Sequence, residues 1–199
     1  MSSTDRTTSA SDIAAALGDP FLASVADDAQ TRVTPVRLPG GGAWQLHDII
    51  WRGPHHPHRW FVATHDDRAV RLDGHPERWD SVLEGTRIDS ADDAIALACA
   101  RADVTRDLST GHRRLEHADD ARFVRARSDE VATRIAQARE LLTAHVAPPS
   151  VTGEGPWTVT LWTLTGRALV RHEVQVDVDG SAAETTTVVA DDMPVPVAR

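Results

Sequence analysis

The chain has 199 residues, 41% of them hydrophobic, enough to bury roughly 70% of its unfolded surface in one core without disulfide staples. Its formal charge is −9, and all 21 basic residues are arginine, because lysine, asparagine and tyrosine are absent, a gap that points to a GC-rich bacterial genome. These features exclude a lysine Schiff base, a P-loop lysine and phenolic acid–base chemistry, and they argue against nucleic acid as a partner, since affinity for a phosphate backbone comes from basic groups.

The first ten residues, MSSTDRTTSA, are small and polar, and they read as a disordered tail. A short helix is predicted from Ser11 as the cap, through Ile13 and Leu17, stopped by Gly18-Asp19-Pro20. From residue 31 the pattern changes to four strands, VTPVRL, AWQLHDIIW, RWFVAT and RAVRL, separated by Gly-, Pro- and Asp-rich breaks, as in an antiparallel meander. Pro76, Trp79, Val82 and Leu83 then suit a short helix ended by Gly85.

Ser90 with Asp93 three residues later marks the head of a helix reaching about residue 108, with Ile95, Cys99, Ala102 and Leu108 on its inner side. The stretch 101–127 holds seven arginines against five acids and reads as a solvated face. The clearest helix spans 128–146, where Val131, Ile135, Ala138, Leu142 and His145 form one stripe and Asp129 and Glu130 favour its first turn. After APPSVTGEGP, a hairpin follows: WTVTLWTL, a turn centred on Thr165-Gly166, and RALVRHEVQVDV. Residues 191–199 are acidic and Pro-containing and read as a loose tail. The predicted fold is α+β, one domain over 11–190, with an antiparallel sheet built from the meander and the hairpin and helices packed on one face.

No catalytic signature stands out, since GxSxG, GxGxxG, Walker and HExxH patterns are all missing. His55, His56 and His58 in GPHHPHRW are weak metal candidates. Pro57 favours an extended backbone that splays them, and with Trp51 paired near Trp60, His47 would lie about 13 Å along the ladder, too far to complete a site. His172 reads as a satisfied core or margin residue on an apolar strand face, and His117 with its acidic neighbours as a turn or helix start. Asp177-Val178-Asp179-Gly180 opens like a calcium loop, but Val188 stands where its twelfth-position glutamate belongs, so it too reads as a turn. No metal and no cofactor are expected. Cys99 alone cannot form an intramolecular disulfide, and no apolar run approaches the roughly 20 residues of a membrane span, so a cytoplasmic location is expected.

On the hairpin face away from the core, Trp162, Leu164 and Leu169 form an apolar cluster that either a helix of this chain covers or a protein partner docks on. Partial exposure and a partner are expected, with Trp162 as anchor. The leading functional expectation is therefore a non-enzymatic protein-interaction or regulatory domain. The alternative is an enzyme or small-molecule-binding domain with a pocket between sheet and helices that uses His, Asp or Glu.

Overall fold

Helix α1 (Ala10–Leu17) opens the chain in the computed structural model, which describes residues 8–54 and 56–196. Its cap is Ser9 rather than Ser11. The Ser9 hydroxyl accepts from the Asp12 amide, and the Asp12 carboxylate accepts from the Ser9 amide. A cap at Ser11 would put Ala14 at the reciprocating position, where no side chain can close the box. Order therefore begins inside the span expected to be tail, and residues 1–7 lie outside the described residues. Gly18, at φ +64°, ends α1, and the Asp19 carboxylate caps α2 (Pro20–Val25) by accepting from the Phe21 and Leu22 amides.

The α+β class follows from the two antiparallel sheets that come next: the meander and the hairpin do not share one sheet. Strands β1 (Thr31–Val36), β2 (Gln45–Arg52), β3 (Pro57–His65) and β4 (Arg68–Arg71) pair in chain order. Trp51 faces His58, two residues from the expected register, so His47 lies opposite Val62. Strand alternation gives this sheet two buried faces. Ile49, Trp60 and Val62 pack beneath α1 and α2 on Ile13, Leu22 and Val25, while Leu46, Phe61 and Ala63 point into the largest core. Two 3₁₀ turns, Pro76–Arg78 and Asp80–Val82, stand where the short helix was predicted, and Trp79 between them is fully buried.

Ser90 caps helix α3 (Ala91–Val104) as read, but the helix is rotated from its expected orientation. Ala94, Leu97, Ala98, Arg101 and Ala102 form the buried face, and Ile95 and Cys99 are only half-buried. Small alanines let the helix approach the second sheet closely, which larger side chains at the contact would prevent. That sheet has the order β5 (His112–Leu115), β7 (Trp157–Thr165), β8 (Ala168–Val176), β9 (Ala182–Ala190), with β6 (Ser150–Thr152) also paired to β7. Helix α4 (Asp129–His145) is capped by Ser128.

The β7–β8 loop is Gly166-Arg167, one residue later than expected, because the positive φ of +60° falls on Gly166 at the first loop position. A loop of Thr165-Gly166 would have asked a β-branched threonine to take that backbone shape. The pairing shifts by two residues, so Trp162 faces Arg171 and Leu161 faces His172 while every side chain keeps its face.

The helices lie on both faces of the second sheet, not on one. Helix α3 covers the face carrying Val159, Leu161 and Val174, and α4 covers the opposite face through Ala138 and Leu142. Of the segment expected to be a loose tail, residues 191–196 are anchored there, and 197–199 lie outside the described residues. Met193, Pro194 and Val195 are buried, the Val124 amide donates to the Pro194 carbonyl at 2.9 Å, and Asp192 pairs with Arg134 and Arg167.

Candidate functional site

Trp162, Leu164 and Leu169 do not form an exposed surface. They are 8%, 4% and 0% exposed, packed with Leu115, Ala138, Leu142 and Met193 beneath α4. The helix stripe read as core is what covers them, and a docking site anchored on Trp162 loses its physical basis. Of the loop histidines, His55 lies outside the described residues. His56 is exposed, and His58 packs in an aromatic group, its ring centroid 4.7 Å from Phe21, edge to face, and 5.7 Å from Trp51. Among the described residues no group of three or more His, Cys, Asp or Glu side chains is placed to hold a metal ion. No helix among them is long and apolar enough to cross a membrane.

The polar side chains converge elsewhere, in a cleft of about 360 Å³ between the inner face of the first sheet, α3 and β5. Strand alternation supplies its walls. Asp48 and Arg59 share a face of β2 and β3 with Phe61, and His112 and Arg114 share the face of β5 turned toward α3. Arg106 enters from the end of α3, where the Thr105 hydroxyl donates back to the Arg101 carbonyl at 2.8 Å. The Gly74 amide donates to the carbonyls of both Thr105 and Arg106, which ties this turn to the first sheet. The Arg106 guanidinium donates to the Asp103 carbonyl.

Three guanidinium groups thus stand around one cleft, and their surroundings differ. Arg59 makes a two-point ion pair with Asp48, both bonds at 2.7 Å. Arg114 pairs with Glu116 at 2.7 Å and with Asp103 at 3.5 Å. Arg106 makes no ion pair among the described residues. Its guanidinium lies 4.9 Å from the centroid of the Phe61 ring, and that of Arg59 lies 4.7 Å from the same centroid. Burial lowers the pKa of Arg106 and the nearby charge of Arg59 lowers it further, while the Asp103, Asp48 and Asp73 carboxylates partly offset both.

Behind the cleft a hydrogen-bonded chain crosses the second sheet. Arg101 on α3 pairs with Glu184 on β9, and the Nδ1 of His172 donates to Glu184 at 2.5 Å. The other ring nitrogen of His172 is 2.8 Å from the Thr163 hydroxyl, which lies 3.1 Å from that of Thr165, itself 3.3 Å from Nδ1 of His112. Burial raises the Glu184 carboxyl, but the hydrogen bonds from His172 and Arg101 outweigh it and hold the pKa at about 2. An acid, an imidazole and a hydroxyl in line suggest a nucleophile, yet Thr163 is fully buried and no substrate can reach it. The chain is structural, and its end at His112 meets the cleft. Burial, with Arg106, His172 and Arg114 nearby, pushes the His112 pKa down to about 4, so its ring is neutral at pH 7. Its Nε2 is buried without a hydrogen-bond partner among the described residues.

Sequence reasoning did not find this site. The one signal was the arginine-rich stretch 101–127, read as a solvated face, which contributes Arg106, His112 and Arg114. Compared with protein-family models, curated proteins and solved structures, the chain matches none.

Proposed function

We propose that the chain is a small-molecule-binding domain whose cleft between β3, α3 and β5 takes an anion on Arg106. The observation that carries this reading is the state of Arg106: half-buried, beside Arg59, and without an ion pair among the described residues while both neighbouring arginines have one. Withdrawing a cation from water costs free energy unless it is paired, and a bound anion supplies the missing partner. The cleft volume falls within the range of small-ligand sites, and six of its ten lining residues are polar or charged, beside the apolar Val36, Phe61, Ala100 and Val104.

Thermal unfolding in phosphate, acetate and benzoate, each against chloride at matched ionic strength, tests the reading. A ligand at about 100 times its dissociation constant stabilises by about 2.7 kcal/mol, roughly 5–10 °C for a chain of this size. At least one of these anions should raise the midpoint of the wild-type chain and leave Arg106→Gln unmoved. Equal responses to every anion and chloride, or the same gain in both proteins, would sink it.

A further inference from the structure

We infer that the occupant of the cleft is a small monocarboxylate with an apolar body, an inference that rests on the anion-binding reading above. Charge sets the first limit. Asp48 neutralises Arg59, and Asp103 and Glu116 flank Arg114, so Arg106 is the one guanidinium in the lining without an ion pair among the described residues. Counted together, three guanidiniums face three carboxylates, so the site has no net positive charge for a doubly charged ion, and Arg106 alone keeps donors free for one carboxylate. A phosphate monoester carries about −1.5 to −2 at neutral pH, and its second charge would sit in the field of the Asp48 and Asp103 carboxylates that also line the site.

Geometry sets the second limit. A guanidinium near an aromatic ring can use its face there and keep its in-plane N–H groups for a carboxylate, whose two oxygens match that fork. Arg106 lies over Phe61 and has one N–H bond to the Asp103 carbonyl, which leaves further in-plane donors for a ligand. The third limit is the wall beside it. Val36, Ala100 and Val104 give an apolar surface, the His112 ring is neutral at pH 7, and the other two cations of the lining, Arg59 and Arg114, already have carboxylate partners. A compact, fully hydrated oxyanion would leave that surface unused.

Isothermal titration of the full chain with benzoate, acetate, benzamide and inorganic phosphate separates the possibilities. Benzoate is expected to bind at least about tenfold more tightly than acetate, which has the charge without the ring, and than benzamide, which has the ring without the charge. Arg106→Gln should weaken benzoate by about tenfold or more, and Arg106→Lys, which keeps the charge but loses the fork, should fall between them. Phosphate binding as tightly as benzoate overturns the monocarboxylate while leaving the anion site standing. Benzamide binding as tightly as benzoate, or no binding by any of the four, overturns both. Because the ligand comparison uses the wild-type chain, it holds even where a variant fails to fold.

Discussion

His112 ties the cleft to stability through its proton. Its ordinary pKa is 6.5, and in the folded chain burial and the charges of Arg106, His172 and Arg114 push it down to about 4. Between those values the unfolded chain binds a proton that the folded chain refuses, so stability falls as pH drops from about 6.5 to about 4. After discounting for solvent screening, the loss from this residue is about 2–3 kcal/mol. Burial lowers the His47 pKa too, which acts in the same direction. Glu184 works in a separate window: held at about 2, it contributes stability above its ordinary 4.5 that is lost as pH falls further. Urea unfolding at pH 7 and pH 4.5 should show His112→Gln losing markedly less stability than the wild type. An unchanged difference between the two pH values would show that His112 is not held neutral. The sequence placed His172 correctly as a satisfied residue on an apolar strand face, but Glu184 twelve residues later could not be assigned to it. That contact depends on the β8–β9 register, which puts Glu184 beside Val174 and within reach of the ring.

At the scale of elements, caps and periodicity were legible and the pairing of surfaces was not. Ser90 and Ser128 start their helices where serine followed by early acids implied, and the four meander strands lie where their apolar alternation put them. Strand β5 was missed because HRRL offers one apolar residue in four, and β9 because AAETTTVVA forms a largely exposed edge. The stripe on α4 was recognised as a core face, yet the sequence does not say which sheet surface receives it. The surface it covers is the one carrying Trp162, Leu164 and Leu169. Trp162→Ala should therefore cost about 3–5 kcal/mol in urea unfolding, as truncation of a buried aromatic does. A loss below about 1 kcal/mol would mean that α4 does not hold this surface closed and would reopen the docking surface expected from sequence.

Across the whole molecule, a net charge of −9 makes a cleft lined by three arginines an exception to its surroundings. The exception arises from topology. The first sheet contributes Asp48 and Arg59, the end of α3 contributes Arg106, and β5 contributes His112 and Arg114, from segments up to 66 residues apart in sequence. Composition along the chain shows only the last two of these groups, as the basic stretch 101–127, which is why the site was invisible before the two sheets were placed. The most direct test of the account follows the arginine Nε–Hε signals by nitrogen–proton NMR while benzoate is titrated into the wild-type chain. The Arg106 signal should move saturably, while that of Arg87, an exposed arginine paired with Asp89, stays in place. Movement spread evenly over the exposed arginines, with Arg106 unaffected, would contradict an anion site in the cleft.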